Sequence, residues 1–395
     1  MDFETLIAPL SAETFANEYW GRRPVHLKSQ PGNPRGAIVD WDALNAMLAI
    51  RPHWTPAHIK LVMNSAPVVP DFYLDDVAGE GGVRRLANPA KVEMFLAMGA
   101  SLVADSIQEI APAVRALADM LARRFAAQVG ANLYCSFRGV QAFASHCDVH
   151  DVFAIQCAGE KRWRIYENRA DNPLETLTGE AAQATIDAAK GRVMMDLTMR
   201  SGDVLYIPRG FFHDALACDA QSLHLTMGVA PFSGKLVFRM LEEAAVRESL
   251  FRAYLPDARD ADGAALRDHL AILGERIAAM IASPAFSDQV AAQQRKLAPP
   301  IHDLNLPARP ELRFYARTEV AADVVRADAG AMLVARGERL ALGPLVEVAD
   351  YMLARPAYTI QELRARYAWH GHDAVDRLVT DAERMGVVRR YTPAR

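Results

Sequence analysis

The sequence predicts an α+β protein built on an antiparallel jelly-roll barrel, a double-stranded β-helix, with flanking helices and a winged-helix-like module at the C-terminal end. Three observations predict it. Residues 131–231 break into short apolar strands separated by Gly, Pro, Asn and Asp turns, which is how two-sheet antiparallel barrels read. Residues 233–294 then switch to apolar spacings of three and four, the period of helices, and run into the proline-rich stretch KLAPPIHDLNLPARP. Residues 311–395 alternate strands and two short helices and end on a strand. The expected parts are 1–232, 233–300 and 301–395.

Taken in order, Ser11 caps a short helix with Glu13 close behind, and Phe15 and Tyr19 lie four apart on it. Trp20 and Pro24, in YWGRRPVHLK, then seat a first strand on the barrel. WDALNAMLAI reads as a helix, IKLVMN as a strand and VAGEGG as a loop. The clearest helix is expected over Ile107 to Val129. Its stripe is Ile107, Ile110, Val114, Leu117, Leu121 and Phe125, Pro112 sits in its first turns, and Gly130 stops it.

Barrel strands are expected at Ala131–Phe137, Val152–Cys157, Lys161–Tyr166, Val193–Leu197, Val204–Ile207 and Ser222–Val229. Phe238, Leu241, Ala245, Leu250 and Phe251 form one helical face. Leu266, Leu270, Leu273, Ile277, Met280 and Ile281 form another. That much apolar surface must be buried on the barrel or on a second subunit. In the last part, 311–318 and 331–342 alternate as strands, 359–367 and 372–386 are helices, and 387–391 is a strand.

Composition bounds the class. The chain has 395 residues, enough for two or three domains, with 51% apolar and 23% charged residues. A net charge of −4 gives no general attraction to nucleic acid or to an anionic membrane. The four cysteines, Cys135, Cys147, Cys157 and Cys218, show no CxxC spacing and read as reduced buried thiols. The start has no basic segment before an apolar core, and the uncharged run near Met94–Ala104 is too short to span a bilayer. A cytoplasmic protein without a membrane segment is expected.

The chemistry centres on His146-Cys147-Asp148. On an extended strand His146 and Asp148 share one face, so both can grip one ion from the same direction. A third ligand is offered by His213 in GDVLYIPRGFFH, where Gly202, Pro208 and Gly210 punctuate a short apolar strand. Two imidazoles and a carboxylate leave about three positions open on an octahedral ion, the set used by non-haem Fe(II) oxygenases. His150 lies on the same face and is an alternative ligand to Asp148, or lines the substrate groove, or makes an outer hydrogen bond to the site.

This window, with KRWRIY after the HxD pair, LYIPRGFFH later and YWGRRPVHLK near the start, resembles the cupin-like JmjC 2-oxoglutarate oxygenases. The bacterial ribosomal-protein hydroxylases are the branch it is most similar to. The resemblance implies Fe(II) on His146, Asp148 and His213, with 2-oxoglutarate and O2 as co-substrates. It places a cation for the far carboxylate of 2-oxoglutarate at Lys161, thirteen residues past Asp148. Tyr134 and Ser136 face the same way on the preceding strand and offer hydroxyls to that carboxylate, and Asn132 and Thr226 are further members of the pocket. Arg162 and Arg164 alternate away from Trp163, toward solvent. His224 is either a neighbour of the co-substrate or a satisfied core histidine.

The resemblance further implies a homodimer made by the 233–300 helices, and a protein or peptide substrate, a ribosomal protein first. A rival reading is a metal-binding cupin acting as a ligand-sensing transcription regulator through its C-terminal module. Against it, the helix at 372–386 carries Asp373, Asp376, Asp381 and Glu383 but only Arg377 and Arg384. That sum is −2, so direct DNA binding is not expected.

Overall fold

The computed structural model describes residues 1–63, 66–137, 144–176, 180–297, 313–327 and 330–391. The chain separates into two compact units, Met1–Ala298 and Pro299–Arg395.

The first unit carries β1 (Val25–Leu27), β2 (Ile59–Met63), β3 (Ala66–Pro67), β4 (Leu74–Gly79), β5 (Gly82–Ala87), β6 (Ser101–Ala104), β7 (Ala127–Phe137), β8 (Asp151–Arg169), β9 (Val193–Arg200), β10 (Val204–Ile207) and β11 (Phe211–Pro231). The main path is β1-β10-β8-β11-β7-β6-β2-β3, all antiparallel, with β9 on the far half of β8. β8 and β11 hold this arrangement together. Early in β8, Val152–Ile155 pair with β10, whereas Glu160–Tyr166 pair with β9, and β11 follows β8 along both halves.

The sequence reads Val152–Cys157 and Lys161–Tyr166 as two strands, and they are one. Gly159 explains the misreading. Its φ of +65° and its approach to Gln221 suit only glycine, since an added Cβ would stand 2.0 Å from the Gln221 carbonyl oxygen. The strand bends there and the ladder to β11 slips between Ala217 and Ser222.

The core between the walls is apolar, with Phe153, Ile155, Tyr206, Leu223, Leu225 and Met227 all out of water. The Tyr206 hydroxyl donates to Asp151 at 2.7 Å and accepts from the Gly21 amide at 2.7 Å, which ties the segment around Trp20 to the barrel. Trp20 stacks on Phe125 with centroids 3.8 Å apart.

The helix expected over 107–129 is shorter. A 3₁₀ turn, Ile107–Glu109, precedes the helix Pro112–Phe125, which starts where proline needs no amide partner and ends at Ala126 with φ 46°. Val114, Leu117 and Leu121 bury its inner face, and 127–130, read as helix end and stop, join β7. VAGEGG, read as a loop, lies in the β4–β5 hairpin, whose outward residues carry no apolar alternation to betray it.

Beyond the barrel the single helix expected from Phe238 to Phe251 is two, Lys235–Ala245 and Ser249–Arg252, broken where Glu248 adopts an extended conformation. Phe238 is 76% exposed, so the buried side is instead Leu236, Met240 and Leu241, packed with Met280 and Phe286. The helix Ala264–Ala282 buries only Met280 and leaves Leu270, Ile272, Ile277 and Ile281 exposed. Helix Pro284–Arg295 follows after a 60° bend. Among the described residues no single helix is long and apolar enough to cross a membrane.

The second unit contains β12 (Phe314–Arg317), β13 (Ala322–Ala327), β14 (Gly330–Ala335), β15 (Glu338–Ala341), β16 (Ala357–Thr359) and β17 (Val388–Arg390). They form two three-stranded sheets, β16-β12-β17 and β13-β14-β15. Its helices are Val346–Ala354, Ile360–Arg366, started by a Thr359/Glu362 capping box, and His372–Arg384. β13 and Val346–Ala354 had no sequence expectation. Val375, Leu378, Val379 and Met385 are buried, so the last helix uses its apolar face for packing within the unit.

Candidate metal centre

His213 is the third residue of β11, and its backbone exchanges two hydrogen bonds with His146, N to O at 3.0 and 2.8 Å. This bridge is all the strand that the HxD segment makes: Asp148 lies in irregular chain ahead of β8, so its direction is not set by strand alternation. The two residues still converge with His213. One ligand atom from each of His146, Asp148 and His213 lies within 4.8 Å of the other two. His213 Nε2 stands 3.5 Å from Asp148 Oδ2, and the two imidazole centroids are 4.4 Å apart.

Both histidines are aimed by the backbone. His146 Nδ1 donates to the Ala144 carbonyl and His213 Nδ1 to the Phe211 carbonyl, each at 2.9 Å, which leaves Nε2 as the ligating atom of each ring. Burial, reinforced by His146, pushes His213 down to about 4, which keeps it neutral at pH 7. Burial acts to raise the Asp148 carboxyl, but His213, His146 and His150 outweigh it and hold the group below its ordinary value. Metal ligands must be deprotonated, and Asp148 and His213 are poised to be. The donor set fits a divalent ion of the Fe(II) kind, with positions left for other ligands.

The three ligands sit in a cleft of about 510 Å³ that is also lined by Asn132, Tyr134, Lys161, Trp163, His224 and Thr226. The pairing explains this assembly. Thr226 faces Asn132, His224 faces Tyr134 and Ser222 faces Ser136 across β11 and β7, so alternate residues of both strands present one polar face. Lys161, on the far half of β8 and in the same strand as Trp163, is 2% exposed, with Nζ 3.5 Å from Ser136 Oγ. Ser136 itself is wholly buried and accepts from Ser101 at 3.1 Å. His224 stacks on Tyr134 at 4.6 Å and burial, then Lys161, drives it well below its ordinary value.

Two buried polar atoms in this wall, His224 Nδ1 and Trp163 Nε1, have no protein partner among the described residues. Leaving such groups unmet is costly, and a polar ligand with carboxylate oxygens beside Lys161 answers them. The residues therefore fit an anionic co-substrate next to the ion. His150 also lines the cleft and lies against Gly228, where a Cβ would come within 2.8 Å of its ring.

The sequence missed Trp163 as a site residue, although its two-residue spacing from Lys161 puts it on the same face. It also missed Gln108, Glu109 and Gln128, which carry no pattern of their own. Arg162 does point outward, held by Asp196 at 2.6 and 2.7 Å. Cys135, Cys147 and Cys157 are buried and free. Cys218 and the stretch 298–310 lie outside the residues whose side chains are described.

A jelly-roll barrel with two histidines and an aspartate at one mouth defines a non-haem metal-binding domain, and residues 106–235 match the JmjC domain family. That stretch is similar to JmjC domains and contains His146, Asp148 and His213. The chain is similar to ribosomal oxygenase 1 of Gallus gallus, 30% identical over 270 residues, covering 64% of this chain and 42% of that protein. It is also similar to the bifunctional lysine-specific demethylase and histidyl-hydroxylase NO66 of Dictyostelium discoideum, 30% identical over 258 residues, covering 64% of this chain and 48% of the relative. The chain thus spans less than half the length of these curated relatives. Among solved structures, Escherichia coli YcfD, a ribosomal oxygenase in complex with cobalt and 2-oxoglutarate, shares the fold. Its TM-score is 0.52 with 19% identity, over 97% of this chain and 99% of that one.

Proposed function

We propose that this chain is an Fe(II)- and 2-oxoglutarate-dependent dioxygenase that hydroxylates an amino-acid side chain of a protein, a ribosomal protein being the first candidate. The observation that carries the reading is the convergence of His146, Asp148 and His213 in one cleft with the buried Lys161. The names of the ribosomal oxygenases it resembles support the substrate class.

Fe(II), 2-oxoglutarate and O2 together supply the chemistry, the insertion of oxygen into a C–H bond. The chain's own part is holding and orienting. His146, Asp148 and His213 hold the ion. Lys161, with the Tyr134 and Ser136 hydroxyls, takes the far carboxylate of 2-oxoglutarate by charge-assisted hydrogen bonds. Asn132 and Thr226 line the same side, and Trp163 and His224 close it from water. The target carbon is positioned within the cleft, which His150 also lines, and positioning of this kind is the protein's main lever on rate.

The division 1–232 catalytic, 233–300 dimerising and 301–395 winged-helix-like accompanies this reading. The exposed Leu270, Ile272, Ile277 and Ile281 support a homodimer through the second part. The third part is read as a structural or substrate-docking element, because its last helix is acidic and its Asp376 is already committed to Arg364. A cytoplasmic setting follows from the substrate class. The test is succinate formation from 2-oxoglutarate by purified protein given Fe(II), O2 and a ribosomal-protein extract. His146→Ala should abolish it with the circular dichroism spectrum retained, and succinate formation by the variant at the native rate would reject the reading.

A further inference from the structure

A second cluster of metal-ligating side chains lies apart from the first. His53, in the 3₁₀ turn Arg51–His53, and His58, just ahead of β2, bring their rings to 4.4 Å. Glu109, from the 3₁₀ turn Ile107–Glu109, meets them, so that one ligand atom from each of the three lies within 4.8 Å of the others.

The backbone on both sides is fixed. Trp54, between the histidines, is 2% exposed and donates its indole N–H to the Met47 carbonyl at 2.9 Å. The amides of Thr55 and His58 close successive turns on the carbonyls of His53 and Thr55, and the His58 carbonyl accepts from Asp105 at 2.9 Å. On the other side Ser106 at φ 59° turns the chain, and the wholly buried Ile107 anchors the turn that carries Glu109.

Two details favour an ion over a mere ring pair. His58 Nδ1 is occupied by Thr55 Oγ1 at 2.9 Å, which leaves Nε2 as the atom to ligate. His53 Nε2 is buried with no hydrogen-bond partner among the described residues, an omission that a bound cation would explain.

We infer that His53, His58 and Glu109 form a second binding site for a divalent transition metal of the zinc class. Two imidazoles and one carboxylate with an open fourth position suit that class. Ligands at about 2.0–2.2 Å from Zn2+ stand roughly 3.3 Å apart in a tetrahedron, and the three atoms here already lie within 4.8 Å of one another, so a bound ion would draw them slightly together. Glu109 also lines the large cleft, so an ion here clips the 51–58 segment to one wall of that cleft.

The test counts ions. Full-length protein without a polyhistidine tag is stripped with chelator and titrated with Zn2+ alone, the stoichiometry being read by calorimetry and by elemental mass spectrometry. Native protein should bind two ions per chain. The Asp148→Ala/His213→Ala variant should keep one, and adding His58→Ala should leave none. Because Glu109 is exposed, Glu109→Gln is safe for folding, and in the double-variant background it should weaken Zn2+ binding at least tenfold. A double variant that binds no Zn2+, or one whose single ion is unaffected by both His58→Ala and Glu109→Gln, overturns the inference. Neither result bears on the oxygenase reading, which the first cluster carries.

Discussion

Replacing Lys161 with alanine should damage 2-oxoglutarate binding far more than it damages the fold. The ammonium is 2% exposed, beside Ser136, His224 and Tyr134 on a wall that β7, β8 and β11 fix by direct pairing. Truncating one member of a buried charged pair costs about 3–5 kcal/mol, because the remaining charge is left desolvated without its partner. At about 1.4 kcal/mol per factor of ten, affinity should fall between about a hundredfold and a few thousandfold. Lys161→Arg keeps the charge and should lose much less. Arg162→Ala, on the opposite face of β8 with Asp196, should lose nothing and controls for general charge. Anaerobic calorimetry of Fe(II)-loaded protein with 2-oxoglutarate reads all three. An unchanged dissociation constant for Lys161→Ala would refute the assignment of this side chain to the co-substrate.

Further expectations follow from other parts of the chain. Gly159→Ala places a Cβ 2.0 Å from the Gln221 carbonyl oxygen at φ +65°, and such backbone strain costs about 1–3 kcal/mol before any clash. The thermal midpoint should therefore drop by several degrees, and an unaltered melt would contradict the bend at this glycine. Light scattering at micromolar concentration should give twice the 43.4 kDa chain mass, and Ile277→Asp, on the exposed face of Ala264–Ala282, should shift it toward one. A native chain that scatters as a clean monomer contradicts the dimer. Fluorescence anisotropy of the full chain with random duplex DNA at low salt should show no micromolar binding. Salt-sensitive micromolar affinity would revive the regulator reading.

The candidate ligand cluster was legible in the sequence because turn residues isolate it: Gly202, Pro208 and Gly210 frame His213, and HxD is compact. Strand alternation, the reason first given for their convergence, holds only in part, since Asp148 stands in irregular chain and the His146–His213 bridge does the aligning. The polar wall was legible for a sounder reason, because Asn132, Tyr134 and Ser136 do alternate on β7 opposite Thr226, His224 and Ser222. Long bent strands were not legible. Periodicity treats an interruption such as Gly159 as an end, although pairing with β11 carries β8 through it. The helix ending at Phe125 was overrun for a similar reason, since Val129 keeps the apolar spacing and only the tertiary pairing of 127–130 with β11 claims that stretch for the sheet. The His53–His58–Glu109 cluster joins segments about fifty residues apart and leaves no local signature at all.

The central claim, that this chain hydroxylates a protein side chain through His146, Asp148 and His213, is tested most directly in cells. Ribosomal proteins and total peptides from cells carrying the native chain are compared by mass spectrometry with those from cells carrying Asp148→Ala at the same abundance. The account predicts at least one peptide heavier by a single oxygen atom in the native cells and absent with the variant. An identical set of oxidised peptides in both would contradict it.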